Sequence, residues 1–347
     1  MQGPNPFYQW GREKEFEGRK TEMEDFRAAL AQLTAGKSFA ILVRGFPGSG
    51  KSALLRHMQH ESEHNRFFAP VTGVSEGEKT DSLLNKIKAE MINYAGEKAG
   101  EGLINERTGA NLRKLEKSDF PFSFARALSR STEGMVIIID DADSLKDPEK
   151  LGEFVAVSLR KAEREKIKLG FVVTSTKSIS SLERHAKTMR LPPLQEHDIR
   201  NLIGLALKKG PPKMGEECLK SIMEDSEGSP KIAKEMCRII FDKLPDKEKI
   251  ITKGHYLAYS PAIMSALGRD FFDRLYSKLP RSEREVLRAF AEVGKPANIS
   301  DIARKIKKRH ATTLALRLAE KGQLERVDRG LYRVFNRLYS RYAMERG

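Results

Sequence analysis

Only two cysteines occur in 347 residues, Cys218 and Cys237. Neither has a Cys or His partner at ligand spacing, which excludes a zinc site and a disulfide framework and leaves two buried free thiols as the expectation. No apolar run approaches the roughly 18 residues that cross a bilayer, so no membrane partner is expected. The opening MQGPNPFYQWGREKEF has no apolar stretch behind a basic start. It lacks the form of a secretory signal, and a cytoplasmic location follows as the expectation. No internal repeat or low-complexity segment is visible. The chain has enough length for two or three domains, each with its own core.

What the chain has in excess is positive charge. Lys and Arg number 63 against 48 Asp and Glu, a formal net charge of +15. More than half of this surplus lies in the last quarter: from Asp270 to Gly347 there are 19 Lys and Arg against 10 Asp and Glu, an excess of nine. Such clustering suits a polyanionic partner, duplex DNA first among them, although a solubilising surface has the same composition.

Hydrophobic periodicity divides the chain. Met23, Phe26, Leu30 and Leu33 recur at helical spacing, and Gly36 ends that helix. Phe39 to Val43 is a short strand candidate that runs into Gly45, and Ser52 to Met58 is again helical. Phe67 to Val71, Met135 to Ile139 and Gly170 to Val173 are further strand candidates. The last two are continuous apolar runs of the kind buried on both faces of a parallel sheet. The stretch from Asp81 to Arg130 is mostly helical, with a polar loop near Glu101 to Gly109. Strands alternating with helices predict a three-layer α/β domain. After Arg190 strand signals fade. Residues 195 to 248 hold three helical stretches, with turns at Gly210-Pro-Pro and Gly228-Ser-Pro. From Phe271 a third pattern starts, so the expected domains are 1–194, 195–267 and 268–347.

Between the first strand and its helix lies Gly45-Phe46-Pro47-Gly48-Ser49-Gly50-Lys51-Ser52-Ala53, whose first eight residues fit G-x-x-x-x-G-K-[ST] at every position. Glycines turn backbone N–H groups inward to cradle phosphate oxygens, and the helix N-terminus points its positive end at the same oxygens. Lys51 reaches the β- and γ-phosphates, and the Ser52 hydroxyl is a magnesium ligand. Strand, glycine loop and helix in this order predict a P-loop that binds ATP or ADP with Mg2+. Asp140 ends the run Met135-Val-Ile-Ile-Ile, where a parallel strand delivers its last residue to the ligand-binding crevice. It is the second magnesium ligand. Asp141 stands where a carboxylate orients the attacking water, and Asp143 is a substitute for it or a helix N-cap. Thr174 and Ser175 end the next strand, as γ-phosphate sensors or as turn residues.

With these residues placed, the chain resembles the archaeal ATPase group of AAA+ and STAND P-loop ATPases, related to the archaeal replication initiators of the origin-recognition type. Phe16-Glu-Gly-Arg19-Lys-Thr-Glu22 is similar to that family's F-x-G-R-x-x-E box, which implies that Arg19 lies at the adenine end of the nucleotide. Gly45 to Ser52 and Ile137 to Asp141 correspond to Walker A and Walker B, and Thr174-Ser175 falls at sensor 1. Gly228-Ser229-Pro230 resembles the G-x-P motif of a helical lid, with Lys231 the nearest cation to the sensor 2 position. The resemblance also implies an arginine finger acting on a neighbouring subunit, for which Arg184 and Arg190 are candidates; both are equally surface cations. Most relatives have Glu where this chain has Asp141, which implies slow hydrolysis.

The C-terminal part can be read without the family. Ser282 to Val293, Ser300 to Ile306 and His310 to Lys321 are amphipathic helices. Leu324 to Val334 reads as two short strands around Asp328-Arg329-Gly330. Three helices and a hairpin predict a winged helix-turn-helix. Lys307, Lys308, Arg309 and His310 gather at the start of the third helix, with Thr312, Thr313 and Arg317 further along, where a recognition helix meets bases and phosphates. Arg326, Arg329 and Arg333 decorate the hairpin. Leu287, Phe290, Ile302, Leu314, Leu318 and Tyr332 have core spacing. The whole is expected to be an α/β P-loop NTPase domain with a helical lid and a C-terminal winged helix, a switch run by ATP. Its output is contact with duplex DNA, replication initiation, or ATP-driven self-assembly with the winged helix docking a protein. A protein partner from a replication, transposition or plasmid-maintenance complex fits the same reading.

Overall fold

A computed structural model describes residues 5–9, 17–97, 119–128, 131–208, 212–246, 248–306 and 310–346. They form two compact units, one made of Arg19–Arg44 and Lys51–Leu191, the other of Met1–Gly18, Gly45–Gly50 and Pro192–Gly347.

In the first unit α1 (Lys20–Thr34) buries Met23, Phe26, Leu30 and Leu33, the four residues at the predicted spacing. Each such side chain contributes roughly 1.5–3 kcal/mol when fully buried. The strands are β1 (Phe39–Gly45), β2 (Phe67–Phe68), β3 (Val71–Gly73), β4 (Gly134–Asp140), β5 (Leu169–Ser175) and β6 (Lys187–Leu191). They lie in the order β2-β4-β5-β1-β6, with β3 also on β4, and the β1–β5, β4–β5, β2–β4 and β3–β4 pairs are parallel. Helices α2 (Lys51–His64), α3 (Thr80–Glu97), α4 (Phe120–Leu128), α5 (Pro148–Glu165) and α6 (Ser180–Glu183) connect them. Buried side chains of β4 and β5, including Ile137, Ile139, Phe171 and Val173, form one core with Leu42, Leu83, Phe124 and Val155. The alternation of strand and helix thus produces the predicted parallel α/β sheet.

Two details differ from the sequence expectation. The strand expected over 67 to 71 is two pieces, because Pro70 has no N–H to give to a ladder; its carbonyl still accepts from the Ile138 amide at 3.0 Å. The second is β6, absent from the expectation. Its five residues alternate in exposure only at Met189 and Leu191, too short a pattern to stand out. The polar loop expected near Glu101 to Gly109 lies outside the described residues.

The second unit begins its helices with α7 (Glu196–Leu207), followed by β7 (Lys213–Met214), α8 (Glu216–Ser226) and α9 (Pro230–Lys243). Pro230 opens α9 at the favoured first position, and the Ser229 hydroxyl caps it by accepting from the Ile232 amide. Cys218 and Cys237 are buried free thiols, and burial pushes Cys218 up to about 12. After β8 (Ile250–Ile251) and α10 (Lys253–Leu267) come α11 (Arg281–Val293), β9 (Ala297–Asn298), α12 (Ile299–Ile306), α13 (Ala311–Glu320), β10 (Leu324–Asp328), β11 (Leu331–Val334) and α14 (Arg337–Glu345). β10 and β11 form an antiparallel hairpin, and β9 adds a third antiparallel strand to β11. Three helices beside this small sheet form the expected winged-helix architecture. Leu287, Phe290, Ile302, Leu318 and Tyr332 are buried in its core, and Leu314 packs half-buried against them. The sequence expectation did not include α14.

A polar clamp joins α14 to the end of α8. Glu227, at φ 45°, accepts from Arg333 at 3.0 Å and from the Arg337 amide at 2.6 Å. Asn336 donates to the Asp225 and Ser226 carbonyls while its own oxygen caps α14. Arg337 pairs with Asp225 at 3.2 Å. Among the described residues no helix is long and apolar enough to cross a membrane.

Candidate functional site

The sheet order explains how its carboxyl edge becomes a site. β5 lies between β1 and β4, with Val43 and Thr174 paired on one side and Ile139 and Val173 on the other. The residues that follow the strands therefore converge there: Lys51 after β1, Asp140 at the end of β4, and Thr174 to Thr176 at the end of β5.

Lys51 opens α2 and is only 7% exposed. Burial lowers its ammonium below the ordinary lysine range, and Asp143, Asp141 and Asp140, in that order, pull the other way. Its Nζ donates to the Thr176 hydroxyl at 3.3 Å. Ser52 and Ala53 are half-buried in the first turn of α2. Thr174 is fully buried. Its hydroxyl donates to Asp140 at 2.6 Å and accepts from the Asp141 amide at 2.8 Å, so it orients the acid at the end of β4. Ser175 is equally buried and turns its hydroxyl onto Lys177, donating to the carbonyl at 2.7 Å and accepting from the amide at 3.0 Å. Asp141 is exposed in the left-handed region at φ 59°. Asp143 accepts from the Thr176 amide at 2.9 Å. Thr176 carries no sequence motif, and only its hydrogen bonds to Lys51 and Asp143 single it out.

Gly45 closes β1, and the loop that follows has Gly48 at φ 83° and Gly50 at φ 94°, the left-handed conformation that turns successive amides toward one side. Phe46 and Pro47 are half-buried, and Ser49 is buried. Within the same compact unit, the Gly48 carbonyl accepts from the Ser229 hydroxyl at 3.2 Å and the Lys231 amide at 3.4 Å. A Cβ on Gly48 would meet Phe271 and Ser229 side-chain atoms at 3.1 Å and would stand at a positive φ, so a side chain there is strained. The Lys231 ammonium stands 5.1 Å over the Phe271 ring. Pro230 lies 3.4 Å from where a Gly50 Cβ would be.

Arg19 is 5% exposed and pairs with Glu22 at 3.3 Å. Phe16 lies outside the described residues. Gly18 has φ 80°, and a Cβ there would sit 2.7 Å from Leu194 and Asp198 side-chain atoms, so glycine is required in that box. Arg184 and Arg190 are both exposed. On the winged helix, Lys307, Lys308 and Arg309 lie outside the described residues. His310, Thr312, Thr313 and Arg317 are exposed along α13, as are Arg326 and Arg329 on the hairpin. Arg333 is half-buried between Glu227 and Glu325, which occupy its guanidinium.

The donor set suits a magnesium nucleotide: a carboxylate held by a buried hydroxyl, and a buried lysine that is followed in sequence by a serine.

Comparison with known proteins agrees. Residues 15–159 match the family model described as AAA ATPase domain. No curated protein matches the chain. Among solved structures, a Walker-type ATPase of Pyrococcus abyssi is similar at a TM-score of 0.73 and 14% identity, over 96% of this chain and 97% of that one. Cdc6p from Pyrobaculum aerophilum is similar at a TM-score of 0.51 and 14% identity over 94% of each chain. The Orc1 protein of Aeropyrum pernix, solved in complex with DNA, is similar at 0.50 and 16% identity over 96% of this chain and 93% of that one. At these identities the likeness is one of fold. Residues 15–159 are therefore similar in sequence to an AAA ATPase domain, in a chain whose fold is similar to those of the Walker-type ATPase, Cdc6p and Orc1 structures.

Proposed function

We propose that this chain is a cytoplasmic molecular switch that binds Mg·ATP, hydrolyses it slowly and contacts duplex DNA through its winged helix. The observation that carries the nucleotide half is the grouping of Lys51, Asp140 and Thr174 at the carboxyl edge of one parallel sheet, directly after a complete phosphate-loop sequence. Magnesium, when bound, neutralises phosphate charge. Asp140 and Ser52 are its protein ligands, Thr174 fixes the Asp140 oxygen, and Lys51 pairs with the terminal phosphates. Asp141 orients the attacking water. Its shorter side chain, compared with the Glu of relatives, makes turnover slow. Arg184 or Arg190, both exposed, acts on a neighbouring copy. Arg19 serves the adenine end, and Lys231 follows the lid proline. The domain limits 1–194, 195–267 and 268–347 are part of this reading.

The DNA half rests on the basic excess after Asp270 and on the exposed row His310, Thr312, Thr313 and Arg317 beside Arg326 and Arg329. Orc1, a fold relative, is solved with DNA. Arg333 is left to the fold rather than to DNA.

Two measurements test the proposal. Full-length protein binds Mg·ATP by calorimetry, and Asp141→Ala retains that binding while losing turnover; unchanged turnover moves the water-orienting role elsewhere. Fluorescence anisotropy with labelled duplex at rising salt gives affinity that falls steeply with salt. An absence of binding at low salt removes the DNA half and favours the second reading, a nucleotide-driven assembly switch whose winged helix docks a protein.

A further inference from the structure

A groove of about 1000 Å3 lies on the second unit, lined by α10 and α14. One face of α10 supplies Leu257, Pro261 and Met264, which recur at helical spacing. Leu257 is 60% exposed, an apolar side chain left in solvent. From α14 comes Tyr342, which is held on every side. A Cβ on Gly268 would meet its ring at 3.0 Å, its hydroxyl donates to Asp273 at 2.9 Å, and the Arg346 guanidinium stands 5.2 Å over the ring. The floor is therefore apolar and fixed in shape.

Two departures from regular helix border this floor. Pro261 lies inside α10 and has no N–H, so the Leu257 carbonyl, one turn earlier on the same face, lacks its i+4 donor. Directly after α10 the chain makes the π turn Gly268–Phe272, a geometry that recurs at functional sites.

The rim is charged. Arg269, Arg341 and Arg346 line it together with Asp273 and Glu345. Each arginine side chain is more than half exposed, and the pairs they make with Asp270, Glu345 and Asp273 are solvent-exposed ones that contribute little. Incoming carboxylates can therefore take over these guanidiniums at small cost. Three guanidiniums against two carboxylates favour an anionic occupant, and the apolar floor requires that it carry hydrocarbon side chains. The closely spaced phosphates of a duplex offer no such side chains and are repelled by Asp273 and Glu345. A second copy of the chain, with its net charge of +15, meets self-repulsion.

We propose that the groove between α10 and α14 is a docking site for an acidic segment of a partner protein, whose apolar side chains cover Leu257, Met264 and Tyr342 and whose carboxylates meet Arg269, Arg341 and Arg346. This surface is independent of the nucleotide and DNA readings above.

The test uses full-length protein and fluorescence anisotropy with a labelled peptide in which leucines recur at helical spacing among glutamates. The same peptide with serine in place of leucine measures charge attraction to the basic protein alone. The leucine peptide binds about tenfold or more tightly than the serine peptide, the effect of burying one leucine or more. Leu257→Asp and Arg341→Glu each bring the leucine peptide to the level of the serine one while leaving duplex DNA affinity unchanged. Both positions are exposed, so the variants keep the wild-type melting temperature, and Arg269→Glu gives a further variant outside α14. Equal affinity for the two peptides overturns the inference, and so does wild-type affinity in the three groove variants. Variants that weaken duplex DNA in place of the peptide assign the groove to nucleic acid, and variants that turn an oligomer into a monomer on size exclusion assign it to a second copy; either result overturns the proposal.

Discussion

Glu227 gives the sharpest quantitative test, because a single residue combines an unfavourable backbone with favourable contacts. Its φ of 45° places a non-glycine residue in the left-handed region, at a cost of roughly 1–2 kcal/mol. Against this, its carboxylate accepts from the Arg333 guanidinium at 3.0 Å and from the Arg337 amide at 2.6 Å, with its side chain 16% exposed. Hydrogen bonds to a charged group contribute about 1.5–3 kcal/mol each. Arg333 keeps its pair with Glu325 at 2.8 Å, which reduces the loss. Glu227→Ala removes the contacts and keeps the strain, so it destabilises by about 2–4 kcal/mol. Glu227→Gly removes the same contacts but relieves the backbone, and should lie about 1 kcal/mol above the alanine variant. For a unit of this size, roughly 2–4 °C in melting temperature corresponds to 1 kcal/mol, so the alanine variant melts several degrees below wild type. Thermal unfolding at neutral pH orders the three proteins as wild type, Gly, Ala. Hydrogen exchange at the Arg337 amide should rise in both variants. An alanine variant within a degree of wild type, or a glycine variant less stable than the alanine one, would refute the reasoning.

Lys51→Met should abolish the melting shift given by Mg·ATP, read by scanning fluorimetry; a variant that keeps the shift contradicts the site. Burial lowers the folded Lys51 value, so the wild-type charge opposes folding below that value and ceases to do so as pH rises toward its unfolded value of about 10.4. Without nucleotide, the variant is therefore favoured most at neutral pH, and wild type gains on it in alkaline solution. Gly18→Ala forces a Cβ to within 2.7 Å of Leu194 and Asp198 atoms at φ 80°, and should cost at least about 1–2 kcal/mol by denaturant titration; a neutral effect would show that the turn relaxes freely. Arg326→Ala and Arg329→Ala should each weaken duplex DNA uniformly across sequences and reduce the salt slope by about one, as for loss of one phosphate contact. Unchanged slopes would take the hairpin out of the interface.

Much of the site was legible because its chemistry is local in sequence. The phosphate loop occupies eight consecutive positions, and Asp140 is marked by the apolar run before it. The roles of Thr174, Ser175 and Thr176 were not legible. They have nearly the same chemistry, and what separates them are partners at Asp140, Lys177, Lys51 and Asp143, up to 125 residues away. Arg333 looked like its neighbours Arg326 and Arg329, and its engagement depends on Glu227 in another helix region. The strand β6 and the helix α14 went unseen because one is five residues long and the other follows a hairpin already taken as the end of the module.

By itself the sequence determined the α/β class, the phosphate loop, the helix-opening Pro230 and the three helices and hairpin at the C-terminus. Each depends on residue spacing within one element or on a backbone conformation that only glycine or proline supplies. The tertiary structure alone decided which hydroxyl orients the acid, which faces the lysine, and which arginines are already paired. Hydrogen bonds and ion pairs are short-ranged in space but not along the chain, so their allocation exists only after distant strands have come into register.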